Sequence, residues 1–483
     1  MNAVREDAPP ALAGDEVAAL RGEVAQAIDG LVSGVLQLQD GQIAPLSERT
    51  QALEARIASL ERQGEAVVSL ARSLKRVAGE LELERSCRHL ARVSRMAPKS
   101  RTVVFVGRWH FGDNLKYAWL AALERAQQAG YECWYLPPDA AQEALVKSLG
   151  GACLPCDWRR WSADDFLVAQ RTAVLVVADH FFSAAYHPNP YAPALFEGAR
   201  WVQLWHGISI KEVALHSPTR LAELSVFRTQ MLDSCGPYAA FIGSSGAAEA
   251  EWRRWFAFER YSAIGYPRSD VLMREPSARD LLNVDEQAFD LARATRRAGG
   301  RTVLYVPTFR DKELRTWIYQ AGLAELAQAL AARGDQLIVN LHPLEQAELP
   351  RLVARYPQVR FLRQHCDLYP LLREVDLLVT DYSSLMFDFL PLRRPILFYR
   401  PDHERYITES RPLYDAKVKQ LPGALCETLE SLISTLEGDA GALDAPYAPV
   451  REELTARLFD RIDDQASQRV ARLIEDELEL ALR

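Results

Sequence analysis

The stretch DLLVTDYSSLMFDFLPLRRPILFY, residues 376–399, decides the fold. It opens on an apolar run, DLLVT (376–380), and closes on another, PILFY (395–399). Between them SSLMFDFL reads as a short helix that Ser383 and Ser384 open. Short apolar runs joined through a helix indicate parallel strands covered on both faces.

The same alternation extends outward. TVLYV (302–306), LIVNL (337–341) and VRFL (359–362) come before it. Further upstream lie TVVFVG (102–107), ECWYLP (132–137), VLVVAD (174–179), WVQLW (201–205) and AFIG (240–243). Helical stretches such as 114–129 and 247–257 separate these runs. Two such blocks predict an α/β chain with two Rossmann-like domains and a cleft between them. The join falls near 265–300, where GYPRSD (265–270) leads into a polar helical connection. This gives domains at 96–270 and 271–445, followed by helices over 446–483 with alternating charge.

Residues 1–95 differ from the rest. Within 15–92 glycine is sparse, and apolar residues recur at a spacing of three and four: Ile28, Leu31, Val35, Leu38; Leu53, Ile57, Leu60; Val67, Leu70, Leu74, Val77, Leu81. Such spacing lays a narrow apolar seam along a helix. Gly41 and Pro45 break it into two helices. The expectation is a coiled-coil arm that assembles a homo-oligomer through residues 15–92. The alternative is a helical hairpin folded back on its own body.

Composition narrows the function. With 57 basic and 65 acidic residues in 483, the formal charge is −8. That disfavours nucleic acid as a partner, because phosphate binding needs basic surface. The seven cysteines are scattered, and Cys153 and Cys156 form a lone CxxC without a second pair. Buried thiols are expected there, and no metal. The beginning, MNAVREDAPP, does not read as a signal peptide, and no stretch of about 18 apolar residues exists to span a membrane. A cytoplasmic protein is expected.

In open α/β sheets, ligands sit beyond the carboxyl ends of the strands. After 302–306 come Pro307, Thr308, Phe309, Arg310 and Asp311. After 337–341 come His342 and Pro343, after 376–380 come Asp381, Tyr382, Ser383 and Ser384, and after 201–205 come His206 and Gly207. Two histidines, an arginine and a hydroxyl pair thus fall at one structural address. Ser383 or Ser384 is a good helix N-cap, yet a helix start with free N–H groups and hydroxyls also suits a phosphate. Arg310 reads equally as a partner of Asp311 or as a phosphate contact. His342 either fills the sheet edge where Pro343 ends the strand or faces a ligand. Asp388 sits one turn beyond Ser384 and is either a substrate contact or a tie to the neighbouring loop. No glycine-rich phosphate loop and no G-x-S-x-G elbow occur.

LWHGISIK, IGYPRSDVL, YVPTFRD, LHP and DLLVTDYSSLMFDFLPLRRPILFY, in this order, resemble the CDP-glycerol glycerophosphotransferase family. Its members are teichoic acid primases and polymerases and related capsule polymerases. GRWHFGDNLKYAW (107–119) resembles the start of the family's catalytic region, and FDRIDDQASQRVARLI (459–474) its end. The resemblance covers roughly 101–475 and leaves the arm outside.

It implies a GT-B-like fold and transfer of a polyol phosphate from a CDP-linked donor to an acceptor hydroxyl, with release of CMP. CDP-glycerol, or CDP-ribitol, is then the donor substrate, and no tightly bound cofactor is implied. The acceptor is a glycan or polyol-phosphate chain, lipid-linked and reached by peripheral contact at the inner face of the cell membrane. By position, His206 and His342 match the family's catalytic histidines. Thr308, Arg310, Asp381, Ser383 and Ser384 match its donor phosphate and nucleotide site. Lys211, Arg268, Asp388 and Asn114 are further substrate-binding candidates. The chain departs from the family at Ile208-Ser209-Ile210, where Thr-Pro-Leu is common, at Phe309 for Trp, and at Asn340 for a basic residue.

A histidine near neutrality can take a proton from the attacking hydroxyl, and His206 is the expected base. His342, Arg310 and the serine pair then offset charge on the pyrophosphate. Two rival readings remain. One is a GT-B glycosyltransferase using a nucleotide sugar. The other is a non-catalytic scaffold assembled through the coiled coil.

Overall fold

Each expected apolar run that forms a central strand is buried on both faces. The computed structural model describes residues 85–179, 191–209, 237–308, 310, 317–409, 420–439, 441 and 444–483, with isolated positions between 26 and 83. Most of the expected arm therefore lies outside the described residues, as does Lys211.

The first sheet contains β1 (Thr102–Val106), β2 (Glu132–Leu136), β3 (Ala152–Cys153), β4 (Val174–Val177), β5 (Arg200–Gln203), β6 (Tyr238–Gly243) and β7 (Phe258–Ala263). Its order is β3-β2-β1-β4-β5-β6-β7, every pair parallel. The second contains β8 (Thr302–Val306), β9 (Gln336–Val339), β10 (Arg360–Phe361), β11 (Leu377–Thr380), β12 (Ile396–Tyr399) and β13 (Ala424–Cys426). Its order is β10-β9-β8-β11-β12-β13, again all parallel. Both are doubly wound sheets whose strand order reverses once, between β1 and β4 and between β8 and β11. Successive side chains feed opposite layers, as the period of two demands. Leu304, Ile338, Leu378 and Phe398 join one apolar cluster, while Val303, Leu337, Val379 and Leu397 join another.

The former cluster also takes in Val103, Val176 and Ala240 of the first sheet, so residues 86–483 form one compact unit with a shared core. A buried ion pair reinforces it. Lys116, on the helix Asp113–Ala129, sits 2.7 Å from Asp367, and both side chains are fully buried.

Sequence reading missed β3, β7 and β13. β3 is two residues long, and the edge strand β7 (FERYSA) carries exposed charge that hides its pattern. Strand β5 ends at Gln203 rather than Trp205, because Trp205 turns into the left-handed region at φ 49°. Cys153 and Cys156 are half-buried rather than buried, and burial raises the Cys153 thiol to about 12. The tail forms helices Ala448–Leu458 and Ala466–Ala481. The second of these packs on the first sheet, against the helix Asp113–Ala129 and β1, β4 and β5. Its N-terminal N–H groups, Ala466 and Ser467, donate to the Asp270 carboxylate at 2.8 Å each.

Candidate active site

The carboxyl ends of the two sheets enclose a cleft of about 330 Å³. His206 and Arg268 line it from one side, and Thr308, His342, Ser383, Ser384 and Asp388 from the other. Seven of the candidate residues are thus brought together. A smaller cavity of about 210 Å³ adjoins, sharing Asn340, Leu341, Leu368 and Tyr369 and extending to Trp109, His110 and His365.

His206 stands on a turn fixed by its neighbours. The indole of Trp205 is buried against Phe256, with ring centroids 4.7 Å apart, and anchors the turn. Its backbone N–H donates to Gln203 Oε1 at 2.8 Å, and its carbonyl accepts from Asn114 Nδ2 at 2.9 Å. The carbonyl of His206 accepts from Arg268 Nη1 at 2.8 Å. Next comes Gly207 at φ 105°, where a Cβ would meet Arg268 Nη2 at 1.9 Å. Glycine is required there on both counts. The imidazole lies on the Trp205 ring, centroids 4.1 Å apart, with Nδ1 3.7 Å from Asp179 Oδ2.

Burial pushes the His206 pKa down to about 4, with Asp179 pulling it up and Arg108 pushing it further down. The side chain is nonetheless 40% exposed to the open cleft, which weakens the burial contribution. Both considerations leave a neutral imidazole at pH 7, the form a proton acceptor needs.

Two candidates support this turn from behind. Asn114 is fully buried; it holds the carbonyls of Leu204 and Trp205 and accepts from the Arg268 backbone N–H. Arg268 is buried at the mouth and grips Asp388, with Nη2 at 2.7 and 2.9 Å from the two carboxylate oxygens. Its Nη1 also reaches Asp113 Oδ1 at 2.7 Å. Asp388 is therefore tied to the loop that carries Arg268, and it also lines the cleft.

On the opposite wall, Asp381 receives the backbone N–H of Thr308 at 2.9 Å. Arg310 does not line the cleft. It is fully buried behind Thr308, 2.8 Å from Asp381 and 2.7 Å from Asp402. Its guanidinium lies 4.7 Å from the Tyr406 ring, which stacks on Tyr382 at 3.8 Å. Arg310 and Asp381 thus hold the strand-end loops after β8, β11 and β12 together and set the wall's shape. The hydroxyl of Thr308 has no hydrogen-bond partner among the described residues, although it is buried at the cleft wall. Ser383 Oγ accepts weakly from the Leu385 N–H at 3.3 Å, whereas Ser384 makes no capping bond with its side chain. Both serines are half-buried on the cleft face.

Sequence reading missed Arg108, Asp113, Asp179 and Tyr369. Arg108 bridges Asp113 Oδ2 at 2.7 Å and Asp179 Oδ2 at 2.9 Å. Burial alone would raise the Asp113 carboxyl, but Arg268 and Arg108 hold it well below the usual carboxylate range. Asp179 and Arg108 lie two residues beyond β4 and β1, so the strand-end rule, applied to those runs too, would have found them. Among the described residues no group of three or more His, Cys, Asp or Glu is placed to hold a metal ion.

Comparison with known proteins places this geometry among relatives. Residues 97–476 match the family model described as CDP-Glycerol:Poly(glycerophosphate) glycerophosphotransferase. A teichoic acid poly(glycerol phosphate) polymerase from Bacillus spizizenii is 28% identical over 251 residues, covering 49% of this chain and 60% of that one. A teichoic acid glycerol-phosphate transferase from Staphylococcus aureus is 27% identical over 288 residues, covering 57% and 70%. The chain therefore spans less than two thirds of the first relative's length. The wall teichoic acid polymerase TagF superposes with a TM-score of 0.61 at 20% identity, over 86% of this chain and 99% of that one. At that identity the likeness is one of fold, and it extends to both sheets.

Proposed function

This chain belongs to the CDP-Glycerol:Poly(glycerophosphate) glycerophosphotransferase family, and from that premise we propose that it transfers a polyol phosphate from a CDP-linked donor to an acceptor hydroxyl, releasing CMP. Glycerol phosphate is the proposed group, since the first relatives act on glycerol phosphate and TagF was soaked with CDPG. The observation that carries the reading is the shared cleft: a histidine from one sheet faces a histidine, a threonine and two serines from the other.

In this mechanism His206 takes the acceptor's hydroxyl proton as that oxygen attacks the donor's β-phosphorus. Ser383, Ser384, Thr308 and His342 supply donors to the pyrophosphate oxygens as charge moves onto CMP. Arg268 and Asn114 hold the His206 turn in place, and Arg310 with Asp381 holds the wall that carries Thr308 and the serines. The acceptor is a cell-surface polyol-phosphate or glycan chain, lipid-linked. The proposed cell-membrane contact is peripheral. Residues 96–270 are the proposed acceptor domain and 271–445 the donor domain, with homo-oligomerisation through 15–92.

The test is a donor screen read by CMP release: CDP-glycerol and CDP-ribitol against UDP- and GDP-sugars. Turnover only with a nucleotide sugar would discard the phosphotransferase reading. His206→Ala should lower CMP release by about 10²–10⁴-fold, and near-wild-type turnover would remove His206 from the base position.

A further inference from the structure

We propose that Asp179 is the positioning residue for His206: it orients the imidazole through Nδ1 and stabilises the imidazolium formed at proton transfer, with Arg108 as its counter-cation. This rests on the reading of His206 as base.

The geometry has three parts. Asp179 lies two residues beyond β4 and is buried, with Oδ2 3.7 Å from His206 Nδ1. That distance exceeds a hydrogen bond, and the proposal requires the contact to tighten when the acceptor binds. The carbonyl of Asp179 accepts from Gln203 Nε2 at 3.1 Å, and Gln203 Oε1 accepts the Trp205 N–H at 2.8 Å. One glutamine thus couples the backbone of Asp179 to the backbone leading into His206. Finally, Arg108 Nη2 lies 2.9 Å from the same Asp179 Oδ2 that faces the ring, while its Nη1 is occupied by Asp113 at 2.7 Å.

Among the described residues, the charged groups acting on the ring are Asp179, Arg108, Asp113 and Arg268. Asp113 is engaged by Arg108 and Arg268, and Arg268 also by Asp388. The Asp179 carboxylate is the one that faces Nδ1. Nε2 can then take the acceptor's proton. As the acceptor O–H bond breaks, its oxygen bonds to the β-phosphorus. The bond from that phosphorus to the bridging oxygen breaks, its electron pair leaves with CMP, and the imidazolium proton passes to solvent. The Asp179 carboxylate receives the Nδ1–H bond, which strengthens as the ring becomes cationic.

The signs separate this role from a purely structural one. Asp179→Asn removes the group that raises the His206 pKa, so the acid limb of the kcat/KM profile moves to lower pH. Arg108→Gln removes a group that lowers it, so the limb moves to higher pH. The experiment measures CMP release from CDP-glycerol by wild type, D179N, D179E, R108Q and H206A across roughly pH 3 to 8, with thermal unfolding of each. D179N should lose about tenfold or more in kcat with KM little changed, and D179E should restore part of it. A D179N variant with wild-type kcat, or one that loses thermal stability with an unmoved pH profile, overturns the proposal. If D179N does not fold, the R108Q displacement and the D179E profile decide. H206A keeping its turnover sinks the base reading itself. H206A losing turnover while D179N and R108Q keep the wild-type profile sinks only the role of Asp179.

Discussion

The guanidinium of Arg268 clasps the carboxylate of Asp388 with Nη2 at 2.7 and 2.9 Å and Nε at 3.1 Å. Arg268 comes from the turn after β7 and Asp388 from the helix after β11, so the pair ties one sheet to the other at the mouth of the cleft. Removing one partner of a buried pair leaves an uncompensated charge, which costs about 3–5 kcal/mol. Arg268→Met should therefore lower unfolding free energy in urea by that order. Arg268→Lys keeps a charge but cannot reach Asp388, Asp113 and the His206 carbonyl with one ammonium. It should retain more stability than R268M yet lose turnover. Wild-type CMP release by R268K would mean that the fork is dispensable.

Gly207→Ala adds a methyl where Arg268 Nη2 already lies, on a backbone at φ 105°. Strain of about 1–3 kcal/mol is expected from the backbone alone. The variant should resemble R268K in lost turnover, because the same guanidinium is displaced. A G207A enzyme with unchanged kcat and urea midpoint would contradict the packing described.

Ser384 makes no capping bond with its side chain, so Ser384→Ala should leave the thermal midpoint almost unchanged. If its hydroxyl meets a donor phosphate, KM for CDP-glycerol should rise about tenfold or more, as for a lost hydrogen bond to a charged group. Ser383→Ala should do the same and also cost a few tenths of a kcal/mol through the weak contact with the Leu385 N–H. An unchanged KM in both variants removes the serines from the donor site.

Glu345 is buried beside the cleft wall, and burial raises its carboxyl to about 7; Asp381 adds to this, while the His342 backbone and Arg310 oppose it. Between its ordinary value of 4.5 and about 7, the folded protein holds a proton that the unfolded chain has lost. Stability from this group is thus fully present below pH 4.5 and is lost as pH rises through 7, by about 2–4 kcal/mol in total. Glu345→Gln should remove that slope. The difference in unfolding free energy between E345Q and wild type should grow in favour of E345Q from pH 4.5 to 7 and stay flat above. A constant difference would mean that Glu345 is ionised in the fold.

The alternation of apolar runs and helices was enough to read two doubly wound parallel sheets, because strands buried on both faces keep a plain apolar signature. Three of the four edge strands escaped, since β7 is polar outward and β3 and β13 are too short to show a pattern, whereas VRFL marked β10. The strand-end rule found His206, Thr308, His342 and the serine pair. It could not rank Arg310, whose guanidinium turns inward to Asp381 and Asp402 instead of toward the cleft. That choice depends on Asp402, far along the chain, and on the Tyr382–Tyr406 stack, which no local pattern encodes. Arg108 and Asp179 stand near strand ends that the rule could have reached, but their pairing with each other and with Asp113 becomes visible only when distant loops are side by side.

The helix Ala466–Ala481 has a consequence for biosynthesis. Glu475 pairs with Arg125, and the buried Glu477 with both Arg200 and Arg260, so the final helix completes the charge balance of the first sheet. Translation delivers the strands of that sheet hundreds of residues before this partner emerges from the ribosome. The first half of the nascent chain must wait, with part of its apolar surface and several arginines uncovered, until the second half has been made.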